Sequence, residues 1–289
     1  MLATLASSLS LSPSPASAAK RKPKQPPPRT AVIVLENHEY PQVIGNSGEM
    51  PFLNGLVPRG TLVTEYSGVS HPSLPNYLAL IGGSTYGINS DCTECWASGT
   101  NLGVQLSEAR ISWRAYMEDM PEPCYPGATY GSYAKKHDPF MYFESVTTVP
   151  SRCQNVVPAG SWLEADLRSK KGLRTFTWIT PNLCNDGHDC SLATTDSWLS
   201  AWVPPVIKKL GPEGILIITF DEGSPGLHVP ALVVGPGARK GTQLSGQFNH
   251  YSLLATIEAR YHLPRINEAT PALPMKGAIL KPRKKHVKH

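Results

Sequence analysis

Residues 215–223 read ILIITFDEG: six residues, all apolar or β-branched, stop abruptly at Asp221, Glu222 and Gly223. A run of that kind without polar alternation marks a strand covered on both faces, the type found in parallel sheets sandwiched between helices. Residues 31–38, AVIVLENH, repeat the arrangement, with Ala31 to Leu35 ending in Glu36, Asn37 and His38. In an open α/β sheet the carboxyl ends of the strands face one crevice, so acids distant in sequence converge there. Strand-like segments at 175–179, 215–220 and 230–234 alternate with helical patterns at 162–168, 195–210 and 250–261, the rhythm of βαβ units. The fold expected is α/β, with a central, mostly parallel sheet flanked by helices.

An acidic turn after a strand is also a common solvated loop start, so neither pair of acids is decisive alone. Together, Glu36, Asp221 and Glu222 would repel one another without a cation, and Asn37 adds a neutral oxygen. Hard oxygen donors without a nearby Cys suit Ca²⁺, Mg²⁺ or Mn²⁺, while neighbouring His residues leave Fe and Zn open.

Residues 67–88, SGVSHPSLPNYLALIGGSTYGI, contribute a hydroxyl. Leu74, Leu78 and Ile81 recur at helical spacing, Pro75 suits a first turn, and Ser73 falls where an N-cap belongs. A phosphate fits the positive end of such a helix, beside Ser73, with Asn76 donating its side-chain amide. Ser is among the commonest caps, so the hydroxyl gains chemical meaning only from the acids expected around it.

The segments VIVLENHEY, SHPSLPNYLALIGG, YAKKHDPFMYF, TWITPNLCNDGHDC, ITFDEG and FNHYSLLATIE, in that order, span nearly everything from Ala31 to Pro264. They resemble the successive blocks of the bacterial acid phosphatase and phospholipase C phosphoesterase family, and most of all its short secreted members. The family belongs to the alkaline-phosphatase-like superfamily, in which a Ser or Thr before a helix attacks phosphorus. The resemblance implies Glu36, Asn37, Asp221 and Glu222 as ligands of one divalent metal ion. It also implies Ser73 as nucleophile and additional ligand, with His137 and His188 touching the phosphoryl oxygens or protonating the leaving group.

That assignment is chemically coherent, because coordination to a cation favours a serine alkoxide without a Ser-His-Asp triad. An imidazolium acid would make activity fall toward alkaline pH. The function expected is a secreted, metal-dependent acid phosphatase that hydrolyses phosphomonoesters, phosphoinositides among them, through phosphoserine at Ser73. The alternatives are a phospholipase C-type phosphodiesterase and a non-catalytic phosphate-binding protein on the same fold. A sulfatase is disfavoured, because the five residues from Ser73 to Tyr77 end without the Arg of a C/S-x-P-x-R motif. His71 and His228 carry less weight, and His250 suits capping or packing of its helix against the sheet.

The six cysteines favour an oxidising compartment, and short loops favour pairing Cys92 with Cys95, Cys124 with Cys153 and Cys184 with Cys190. Residues 2–19 resemble a signal peptide ending at Ala16-Ser17-Ala18, though prolines break it and a basic start is missing. The organisation expected is a signal-like, basic and Pro-rich disordered segment at 1–29, a phosphoesterase domain at 30–275 and a basic tail at 276–289. Five Lys or Arg lie in residues 20–29 and six in 276–288, whereas all 22 acids lie between. An acidic domain between basic arms suits peripheral contact with anionic surfaces, against the plainer alternative of solvated tails. The partners expected are thus a phosphoester or phospholipid headgroup substrate and such a surface, with no specific nucleic acid. No apolar run reaches transmembrane length.

Overall fold

Pairing of the two buried apolar runs organises the molecule. A computed structural model describes residues 27–280. Eight strands form the main sheet: Thr30–Leu35 (β1), Thr61–Val63 (β2), Trp113–Met117 (β3), Val156–Pro158 (β4), Phe176–Thr180 (β5), Ile215–Phe220 (β6), Ala231–Val234 (β7) and Thr242–Leu244 (β8). Their spatial order is β8-β2-β7-β6-β1-β5-β3-β4. β7 alone runs against its neighbours, pairing antiparallel with both β6 and β2. The sheet is therefore mixed but mostly parallel, as expected.

β1 and β6 lie in register from Thr30 beside Ile215 to Leu35 beside Phe220. The next residue of each strand is an acid, so Glu36 and Asp221 emerge side by side at the carboxyl edge. Side chains of β1, β5 and β6 are buried without exception, which explains the absence of polar alternation in their sequences.

Four helices reach ten residues among those described: Ser73–Gly82 (α1), Ala159–Arg168 (α2), Leu192–Leu210 (α3) and His250–Tyr261 (α4). α1 packs against α4 and against the turns at 135–142, and every one of its ten residues is buried. It ends at Gly83, whose positive φ of 68° is the left-handed cap that a side-chain-free residue adopts readily, and whose N–H reaches Ala79 O.

Trp178 of β5 anchors the layer between α1 and the sheet. It is fully buried, lies 6.4 Å from the Tyr77 ring and 5.8 Å from that of Phe140, and its indole N–H reaches Thr180 Oγ1. Trp178→Ala is expected to cost about 3–5 kcal/mol. Calorimetric unfolding beside the native chain checks this, and an unchanged Tm would contradict the packing.

The three expected disulfides are present, Cys92–Cys95, Cys124–Cys153 and Cys184–Cys190. At the carboxyl end the ordered domain runs past the expected boundary at 275. Met275 and Ala278 are buried, Arg239 N donates to Ala278 O, and Leu280 N to Gly237 O. Charge alone assigns Lys276 to a tail, but the apolar residues around it dock. Arg29, similarly, donates to Leu173, Lys171 and Lys209 carbonyls and belongs to the domain. The signal-like residues and most of both basic segments lie outside the described residues.

Candidate active site

The carboxyl edge of β1 and β6 collects the acids, and α1 brings the hydroxyl to them. Ser73 Oγ donates to Glu36 Oε2 at 3.0 Å and lies 3.4 Å from Glu222 Oε1. Ser73 is the first residue of the helix and not its cap. Pro72 holds the capping position with no side-chain bond, which frees the Ser73 hydroxyl for the carboxylates. Tyr77, one turn on, donates to Glu36 Oε1 at 2.6 Å.

Asn37 takes a positive φ of 60°, a conformation Asn tolerates better than most residues, and its backbone N–H turns back to Asp221 Oδ1 at 3.2 Å. Its observed contribution is thus a main-chain bond that joins the two strand ends. Gly68 lies where the chain crosses this edge, and a Cβ there would meet Asp221 O at 2.7 Å. Only a residue without a side chain allows that approach.

Asn76 departs from the expected role. Its Oδ1 accepts from Val69 and Ser70 N–H, and its amide donates to the carbonyls of Ser70 and Pro72. Both amide hydrogens are committed to the loop before the helix, so Asn76 shapes that loop and is not a free donor to substrate. The reason is geometric: one turn into the helix, its side chain points back at the preceding loop.

His137 is buried, stacked on Tyr77 with ring centroids 5.2 Å apart, with Nδ1 at 3.1 Å from Asp186 Oδ2 and Nε2 at 3.3 Å from Glu36 Oε1. Burial, followed by the Lys136 charge, holds its pKa well below the ordinary imidazole range. That burial works against the imidazolium form that the sequence suggests. With Nδ1–H directed to Asp186, the Nε2 lone pair faces a carboxylate oxygen. His188 lies nearer solvent, its Nδ1 2.7 Å from Asp189 Oδ1 and its backbone N–H on Asp186 Oδ1 at 2.8 Å.

These groups fit a cation. Burial first, then Asp221 and Asp186, raises the Glu36 pKa well above the carboxylate range, and burial with Glu222 does the same to Asp221. Burial pushes Asp186 up to about 7. Asp221 Oδ2 and His137 Nε2 are buried with no hydrogen-bond partner. Among the described residues, ligand atoms of Glu36, His137 and His188 lie within 4.8 Å of one another. Nitrogen donors thus stand beside the all-oxygen set expected from sequence.

Acids whose folded pKa is raised favour the metal-free fold below their unfolded values, near 4, and that contribution is lost as pH rises toward about 7 for Asp186. A divalent ion offsets the repulsion where the acids ionise, so the Tm increment on adding metal to chelated protein should be larger at pH 8 than at pH 5. An increment independent of pH would count against a cation among these carboxylates.

Three polar residues in the site carry no signal of their own in the sequence: Asp186, Tyr77 and Lys136. Asp186 and Lys136 stand inside the DGHD and KHDPF segments, one or two residues from the histidines singled out. His71 pairs through Nδ1 with Glu222 Oε2, and buried His250 bonds Asp221 O and Tyr66 OH, packing α4 against the strand end. His228 stacks on Tyr40, and its Nε2 lies 2.8 Å from Thr64 O.

The site thus sets a hydroxyl at the start of a buried helix against carboxylates at a parallel strand edge. The chain belongs to the Phosphoesterase family, which it matches over residues 34–264, and it is an enzyme of phosphoester hydrolysis. It is 33% identical over 248 residues to the phosphatidylinositol-3-phosphatase of Mycobacterium tuberculosis, covering 84% of this chain and 80% of that protein. It is 30% identical to an acid phosphatase of Aspergillus fumigatus over 80% of this chain, and spans 54% of that longer protein. The fold is similar to a protein of the alkaline phosphatase superfamily from Vibrio parahaemolyticus, with a TM-score of 0.59 at 14% identity over 88% of this chain and 72% of that one.

Proposed function

We propose that the protein is a secreted, metal-dependent acid phosphatase that hydrolyses phosphomonoesters, phosphoinositide headgroups among them, through a phosphoserine at Ser73. The observation that carries this reading is the Ser73 hydroxyl, hydrogen-bonded to Glu36 at the head of α1, in a chain of the Phosphoesterase family. The phosphatidylinositol-3-phosphatase and acid phosphatase names of its relatives support the substrate class.

Glu36, Asn37, Asp221 and Glu222 would hold one divalent ion, with Ser73 as additional ligand and the nitrogens of His137 and His188 within reach of the same cluster. When bound, such an ion supplies charge stabilisation and a lowered hydroxyl pKa. The Ser73 hydroxyl proton already lies on a hydrogen bond to Glu36 Oε2. Attack of Ser73 Oγ forms the Oγ–P bond as the P–O bond to the alcohol breaks. The alcohol oxygen takes a proton from solvent water, and a second water then cleaves the phosphoserine to restore Ser73 and release phosphate.

Asp186 holds His137 in one tautomer, and Tyr77 holds Glu36. Three disulfides and the Ala16-Ser17-Ala18 sequence support secretion. The basic residues at 20–29 and 276–288 would bring the enzyme to anionic surfaces.

The test is product analysis with purified, metal-supplemented protein on p-nitrophenyl phosphate, a phosphatidylinositol monophosphate and phosphatidylcholine. Inorganic phosphate is expected from the first two. Phosphocholine release from the third, without phosphate from the others, would assign a phosphodiesterase instead.

A further inference from the structure

Beside the nucleophile, a carboxylate holds donors suited to a phosphate. Asp91 Oδ1 accepts from the N–H of Leu74, the residue after Ser73, at 3.0 Å. Its Oδ2 accepts from Lys136 Nζ, also at 3.0 Å. Lys136 Nζ lies 3.0 Å from His188 Nε2 as well. An ammonium only donates, so His188 Nε2 is the acceptor and its Nδ1–H donates to Asp189 Oδ1. Lys136 Nζ, a donor only, thus joins Asp91 to His188 in the series Leu74–Asp91–Lys136–His188.

The first free amides of a helix and a lysine ammonium are the donors that bind phosphoryl oxygens. Here both are bridged by the two oxygens of a single carboxylate, an anion with acceptors of the same kind as a phosphate's. The buried, unpartnered Nε2 of His137 belongs to the adjoining cluster with Glu36 and His188. Lys136 and Asp91 are each partly exposed, so the carboxylate can withdraw toward solvent.

We propose that Asp91 is a built-in competitor of the substrate: its carboxylate occupies the position of the phosphoryl oxygens, and an entering phosphate takes over Leu74 N–H and Lys136 Nζ. The inference rests on Ser73 as the nucleophile, because Leu74 is its neighbour. Lys136 then supplies the cationic contact to phosphate that the sequence assigns to a histidine. Asp91 weakens the binding of substrate and product alike, which speeds release of inorganic phosphate.

The opposite signs of two substitutions test this. Inorganic phosphate binding to the metal-loaded full chain is measured by calorimetry, a readout independent of turnover, with Tm and metal content as controls. Asp91→Asn keeps the shape but removes the competing charge, and the phosphate Kd should fall about tenfold, with KM falling in parallel. Lys136→Met should raise it about ten- to a hundredfold, the worth of one charge-assisted hydrogen bond. Asp91→Ser serves as the second variant if the first folds poorly.

Weaker or unchanged phosphate binding in folded Asp91→Asn or Asp91→Ser would overturn the competitor role, and native affinity in Lys136→Met would overturn the anchor. Repeating the binding in a Ser73→Ala background separates the two readings. Normal turnover by that variant removes the nucleophile, whereas the order of phosphate affinities decides the role of Asp91.

Discussion

Ser73→Ala is expected to reduce phosphate release by on the order of 10³-fold or more while leaving a folded, metal-binding protein. The chemical part follows from the hydroxyl's place among Glu36 and Glu222, with no second Ser or Thr hydroxyl bonded to Glu36 among the described residues. The structural part follows from its position one residue inside the helix. No capping bond is lost, and the cost is confined to an unpaired Glu36 oxygen, about 1–3 kcal/mol against a typical stability of about 5–15 kcal/mol. The check is kcat on p-nitrophenyl phosphate alongside Tm and bound metal. A folded variant with near-native kcat would remove Ser73 from the chemistry.

Large effects are also expected from the two strand ends. Asp221→Asn and Glu36→Gln should each lower bound metal and kcat by more than about 10²-fold, because an amide supplies an oxygen but not the charge that balances a divalent ion. Asn at 221 retains an acceptor for Asn37 N–H, so the junction of β1 and β6 survives. The double variant should be little worse than either single one, since groups that act as a unit fail together. Excess metal should restore part of the activity of a single variant by mass action. Metal per protein and kcat for all four forms decide the matter: full occupancy with normal kcat in one single variant, or effects that simply add, would show two unrelated acids.

Much of this architecture is legible from residues 31–38 and 215–223. Unbroken apolar runs report burial on both faces, and the acids that follow report the carboxyl edge. β6 and α4 fall within the bounds expected, while β5 shifts by a residue and β7 starts one residue later. The antiparallel direction of β7 is not legible, because periodicity carries no strand polarity. The helix start misses by one residue, since Ser, Pro and Leu in sequence do not reveal that Pro72 takes the cap.

Asn76 shows the limit most clearly. An amide one turn inside a helix looks the same whether it faces a ligand or its own loop, and only the path of residues 68–72 decides. Asp186, Lys136 and Asp91 escape notice for a related reason. They sit on irregular turns, where no period marks a side chain as inward, and their partners lie tens of residues away.

The pairing of β1 with β6 carries a further consequence, for biogenesis. The central strand of the sheet is among the first residues of the domain made, and one of its two neighbours comes at 215–220. Until most of the chain has been synthesised, Ala31 to Leu35 remain an unpaired apolar edge, the kind of segment that recruits other strands. Contacts so distant in sequence also slow folding. Neither half of the chain can assemble the acids alone, so catalytic competence would report completion of this long-range pairing, and a nascent chain stalled before residue 215 would be both inactive and prone to aggregate.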